Sequence, residues 1–119
     1  MTNTAKSLAP FGVYMIVVGL GLLVVPNPIV TLIGFDAVDD IWVRLFGWMI
    51  ASGGYFYIQV GRSGNEVFAL ATLLVRFPVV VVHLILFLLE LAPPALLAFG
   101  GVDLVGAVWT AVALRRDNA

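Results

Sequence analysis

The chain has 119 residues, 62% of them hydrophobic and 11% charged, with a formal net charge of −1 and a mean hydropathy of +1.12. A soluble domain this small must cover itself with polar side chains, and this chain has too few to do so. Its charge excludes a nucleic-acid surface, its lack of cysteine excludes disulfides, thiolate nucleophiles and cysteine metal sites, and one histidine, His83, cannot build a histidine zinc site within one chain.

Residues 1–9 form a polar lead with one cation, Lys6. Pro10 suits the first turn of a helix, and a first helix is expected over about 8–25, just long enough to cross a bilayer. The apolar run ends in Val25-Pro26-Asn27-Pro28 with no small-x-small cleavage site, so an uncleaved span is expected rather than a signal peptide. The prolines stop it, since each lacks an N–H and disfavours helix in the residue before it. Residues 29–35 are too short to span and are expected as a short interfacial segment, either a helix or a re-entrant turn.

Asp36, Asp39 and Asp40 make the most acidic patch of the chain. Asp39 or Asp40 is placed to cap a second helix over about 41–60, with Trp42 at its interfacial entrance. Gly47, Ala51 and Gly54 recur along that helix. Such a small-residue stripe admits a closely approaching helix, expected to come from a membrane protein partner or a second copy of the chain. Asn65 can cap a third helix over about 67–91, which contains Pro78, and a fourth is expected over about 95–114. PNPIVTLIG (26–34) and APPALLAFG (92–100) share a shape that would fit duplication of a two-helix hairpin.

The expected fold class is therefore all-α, a polytopic transmembrane four-helix bundle in one domain spanning 1–119. With both termini cytoplasmic, the inner segments carry Lys6, Arg62, Arg115 and Arg116, and the outer loops carry no basic residue. That asymmetry sets the orientation by the positive-inside rule and argues against dual topology.

Ionisable groups inside a membrane cost about 2.5–3.5 kcal/mol each near its centre and therefore pair or face a cavity. Arg76, His83 and Glu90 are seven apart in the third helix, so they share one face, with rises of about 10.5 Å between them. Depth counting sets Arg44 level with Glu90 near the outer side, and Asp103 near the level of His83 and Arg76. Two contacts are expected: Arg44 with Glu90, and Asp103 with Arg76, His83 or both. Arg76, His83, Asp103, Arg44 and Glu90 are thus candidates either for binding a ligand or for latching helices. Tyr14, Tyr55, Tyr57 and Gln59 read as an interfacial belt. Thr110, seven after Asp103, either extends a polar path inward or bonds back to its own helix.

A first helix ending in proline and glycine, then WVRLFGWMIASGGYFY, VRFPVV and GGVDLVGAVWTAVALRR, together resemble the small bacterial four-helix membrane proteins of the DoxX-like kind. That resemblance implies location in the bacterial inner membrane and a role beside a quinone or a redox partner, and it transfers no functional residue.

Three functions compete. The first is a membrane module binding an apolar or quinone-like molecule in a partly polar cavity. The second is an accessory or structural subunit of a membrane complex, and the third is a small transporter or proton path through Asp103 and His83. Catalysis ranks last, because no nucleophile with a base is apparent; the identity of any cofactor is left open, with no covalent or metal motif to name one.

Overall fold

The computed structural model describes residues 2–37 and 41–119. They form helices α1 (Asn3–Val24), α2 (Pro26–Ile33), α3 (Ile41–Arg62), α4 (Glu66–Leu88) and α5 (Leu96–Asp117). The chain is all-helical among the described residues. α1, α4 and α5 are long and apolar enough to cross a membrane. α3 has the same length as α1 but dilutes its apolar content with Arg44, Ser52, Gln59 and Arg62. The proposed caps of α3, Asp39 and Asp40, lie outside the described residues.

α1 starts five residues before the expected position because its first turn is fully served. The Thr2 hydroxyl accepts from Ala5 N at 3.1 Å, and the Asp117 carboxylate accepts from Asn3 N at 3.1 Å and Thr4 N at 2.8 Å. These are donors that a helix start otherwise leaves unpaired. Pro10, expected to open the helix, lies inside it.

The proline segment 26–34 folds as α2. It ends at Gly34, with φ 110°, where Phe35 N donates to Val30 O and Gly34 N to Thr31 O. That is the bond pattern of a Schellman stop, which needs a left-handed residue. The look-alike segment 92–100 forms no separate short helix. Its prolines accept from Leu96 and Leu97, so a tight turn runs straight into α5, and the two segments do not repeat a structure.

α4 ends at Leu88, earlier than expected. Leu91 N donates to Leu86 O and Glu90 N to Phe87 O, and Glu90 itself takes φ 60°. Glu90 thus occupies the left-handed stop position usually given to glycine, at a cost of about 1–2 kcal/mol. It is exposed and has left the helical face shared by Arg76 and His83.

α1, not α4, is the central helix. It buries residues from Thr4 to Leu22, against three in α4: Ala69, Thr72 and Arg76. α1 and α3 meet through paired glycines. A Cβ on Gly12 would stand 2.6 Å from the Gly54 carbonyl oxygen, and one on Gly47 would stand 2.8 Å from Leu23 N. Gly47, Ala51 and Gly54 are all buried there. The stripe expected to receive a partner molecule therefore receives α1 of the same chain, since the backbones can approach this closely only where both lack side chains.

α5 also packs on α1, and α4 packs on α5. The ring closes between α3 and α4 chiefly through side chains, with the Tyr57 and Phe68 rings 5.7 Å apart.

Candidate functional site

Arg76 is the most unusual side chain in the structure. It is 2% exposed, and its Nε, Nη1 and Nη2 have no hydrogen-bond partner. Its guanidinium carbon lies 4.9 Å from the Phe11 ring centroid on α1 and 5.5 Å from that of Tyr57 on α3. Those rings touch each other, with centroids 5.4 Å apart, and Tyr14 joins them at 5.7 Å from Phe11. The charge is thus held by aromatic faces.

Magnitudes show what this cage leaves undone. Two desolvated cation–π contacts at about 2 kcal/mol each offset the insertion cost of an arginine, about 2.5–3.5 kcal/mol. They take none of the N–H donors, and each buried donor without an acceptor costs a further ~1–3 kcal/mol.

The register of α5 against α4 explains how two bulky polar side chains fit. A Cβ on Gly100 would lie 2.9 Å from His83 Nδ1, and one on Gly106 would lie 3.4 Å from Arg76 Nη1. Each glycine makes room for one polar side chain. Asp103 stands midway between them on α5, about 4.5 Å of helix rise from either. It is half-buried and within electrostatic reach of both His83 and Arg76. The expected trio is therefore brought together, but no hydrogen bond joins Asp103 to Arg76 or His83 among the described residues. His83 Nδ1 is buried without a partner.

The other expected pair is not made. Arg44 Nη1 donates to Leu23 O at 2.7 Å and to Val24 O at 3.2 Å, while Glu90 is exposed beyond the end of α4. Helix C-termini carry free carbonyls and the negative dipole end. Position 28, whose N–H would have served Val24, is a proline. Arg44 supplies the missing donor.

The tyrosines divide. Tyr14 and Tyr57 turn inward to the Arg76 cage, whereas Tyr55 is exposed and accepts from Gln59 at 3.4 Å. Thr110 is fully buried, and its hydroxyl meets Ser7 of α1 at 2.8 Å, so it bonds across to α1 and not back to its own helix. Ser7 also donates to Thr4 O, and the Thr4 hydroxyl donates to Asp117 at 2.6 Å. These bonds tie the N-terminal end of α1 to the C-terminal end of α5.

Beside that seam lies a groove of about 540 Å³ between α1 and α5. Phe11 and Gly106 line it, and Arg76 packs against both from behind. Pro10, Val102, Val105 and Trp109 make its walls apolar. Among the described residues no three of His, Cys, Asp and Glu converge as they would around a metal ion.

Sequence reasoning missed Phe11 as half of the cage and Asp117 as the clasp. Asp117 did leave a signal: an acid in the last turn of a helix opposes the macrodipole and so implies a partner. Compared with known proteins, the chain matches no family model, no curated protein and no solved structure.

Proposed function

We propose that the protein is a membrane-embedded binding module that holds an apolar or quinone-like molecule in the groove between α1 and α5, with the molecule's polar acceptor end at Arg76. The observation that carries this reading is the buried guanidinium with three unpartnered nitrogens directly behind an apolar groove. Buried polar groups are nearly always satisfied, and a groove of this size falls in the usual range for small-molecule sites, about 300–1,000 Å³. In this reading α3 also crosses the membrane, giving a four-span bundle with both termini cytoplasmic in a bacterial inner membrane. The DoxX-like resemblance of the sequence supports that placement. The accessory-subunit reading drew on the glycine stripe of α3, which α1 occupies.

Two measurements test this. The chain has no native cysteine, so single-cysteine labelling is unambiguous. Ala37→Cys is expected to react from the outer side and Ser63→Cys from the cytoplasmic side, and labelling of both from one side would remove α3 as a span. Protein purified in mild detergent is expected to carry a stoichiometric apolar molecule, identified by solvent extraction and mass spectrometry. A molecule that purifies empty and shows no saturable binding of any apolar probe would end the binding reading.

A further inference from the structure

The aromatic rings around Arg76 answer its charge but accept none of its hydrogen bonds, so the planar donor fork stays open. That fork matches a carboxylate in two-point geometry better than it matches a single carbonyl. Asp103 is the carboxylate within electrostatic reach, yet it makes no hydrogen bond to the guanidinium. The fork is therefore not already used by the protein. Gly106 carries no side chain between Nη1 and the groove floor, where an added Cβ would stand 3.4 Å from that nitrogen.

We propose that the groove takes a long-chain carboxylate, its hydrocarbon chain along the apolar walls and its carboxylate in the Arg76 fork. This rests on the binding reading above and names the ligand class for it. The chain lies past Pro10 and Val105 towards Gly101, where an added Cβ would meet no atom within 4 Å. The Phe11 ring, which forms the floor in front of the guanidinium, turns aside to admit the head group. An anionic head complements a cation that lacks a direct counter-ion, and an apolar wall complements the chain.

The test uses the full-length protein in lipid nanodiscs, with palmitate, methyl palmitate and a long-tailed benzoquinone as probes. Wild-type protein is expected to bind palmitate saturably at one per chain. The methyl ester is expected to bind at least about tenfold more weakly, the scale of losing a charge-assisted acceptor. Gly101→Leu fills the groove without touching Arg76 and should abolish palmitate binding. Arg76→Lys keeps the charge without the fork and should weaken palmitate more than the ester, narrowing the difference between them. The acid-against-ester comparison on wild-type protein needs no variant and so does not depend on how any variant folds. Equal binding of acid and ester, or tighter binding of the quinone than of palmitate, overturns the carboxylate and leaves the binding module standing. Palmitate binding that survives Gly101→Leu overturns the proposed location. If none of the three probes binds wild-type protein, both readings fall.

Discussion

Gly19→Val is expected to push α1 away from α3 and to lower the stability of the bundle by about 3 kcal/mol or more, the upper range for overpacking. A Cβ on Gly19 would collide with the Gly47 carbonyl and the backbone of Ala51. Those obstacles are backbone, so no rotamer change can relieve them. The two helices must separate, and every contact along the seam from Gly12–Gly54 to Gly19–Gly47 weakens with them. A titration with a denaturing detergent, followed by circular dichroism, measures the loss. Gly101→Ala is the matched control. Its Cβ meets open space, and replacing a helical glycine by alanine should raise stability by about 0.5–1 kcal/mol. If Gly19→Val unfolds at the wild-type midpoint, the α1–α3 seam is not the core of the molecule.

Arg76→Met combined with Asp103→Leu is expected to stabilise the fold and to abolish ligand binding. Removing a buried ionic set in favour of well-packed apolar side chains is commonly neutral or stabilising by about 1–4 kcal/mol. Here the gain should lie in the favourable part of that range, because the guanidinium has no hydrogen-bond partner to lose. What is lost is the pair of aromatic contacts to Phe11 and Tyr57, which methionine replaces in part through sulfur–ring contacts. The same detergent titration gives the midpoint, and probe binding gives the function. A residue that latches helices behaves in the opposite way: the double variant would then unfold earlier than wild type. A rise in stability with loss of binding is the signature of a group retained for a ligand.

The residues of the Arg76 site were legible in part. Hydrophobic content and the spacing of proline, glycine and caps were enough to expect long apolar helices, since a chain with 11% charged residues has few other ways to meet its solvent. Depth counting along helices was enough to bring Arg76, His83 and Asp103 together, because helix rise is constant and antiparallel neighbours share levels. The same arithmetic failed for Arg44 and Glu90. It could not know that prolines 26 and 28 leave α1 with carbonyls needing a donor, or that Glu90 would serve as a left-handed stop.

The glycines show the division most clearly. The stripe Gly47, Ala51 and Gly54 announced from the sequence that some helix approaches closely, and Gly12 and Gly19 carry the same seven-residue spacing in α1. Spacing alone does not say whether the approaching helix belongs to this chain or another, and the structure assigns it to α1. In the same way the sequence by itself determined that an arginine sits in an apolar helix of membrane length. Only the tertiary structure decided that Phe11 and Tyr57, from two other helices, answer its charge while every N–H is left without an acceptor. Periodicity and depth are properties of a single helix and can be read along the chain. Which faces meet depends on helix packing, where contacts distant in sequence compete, and that competition is settled only when the whole chain folds.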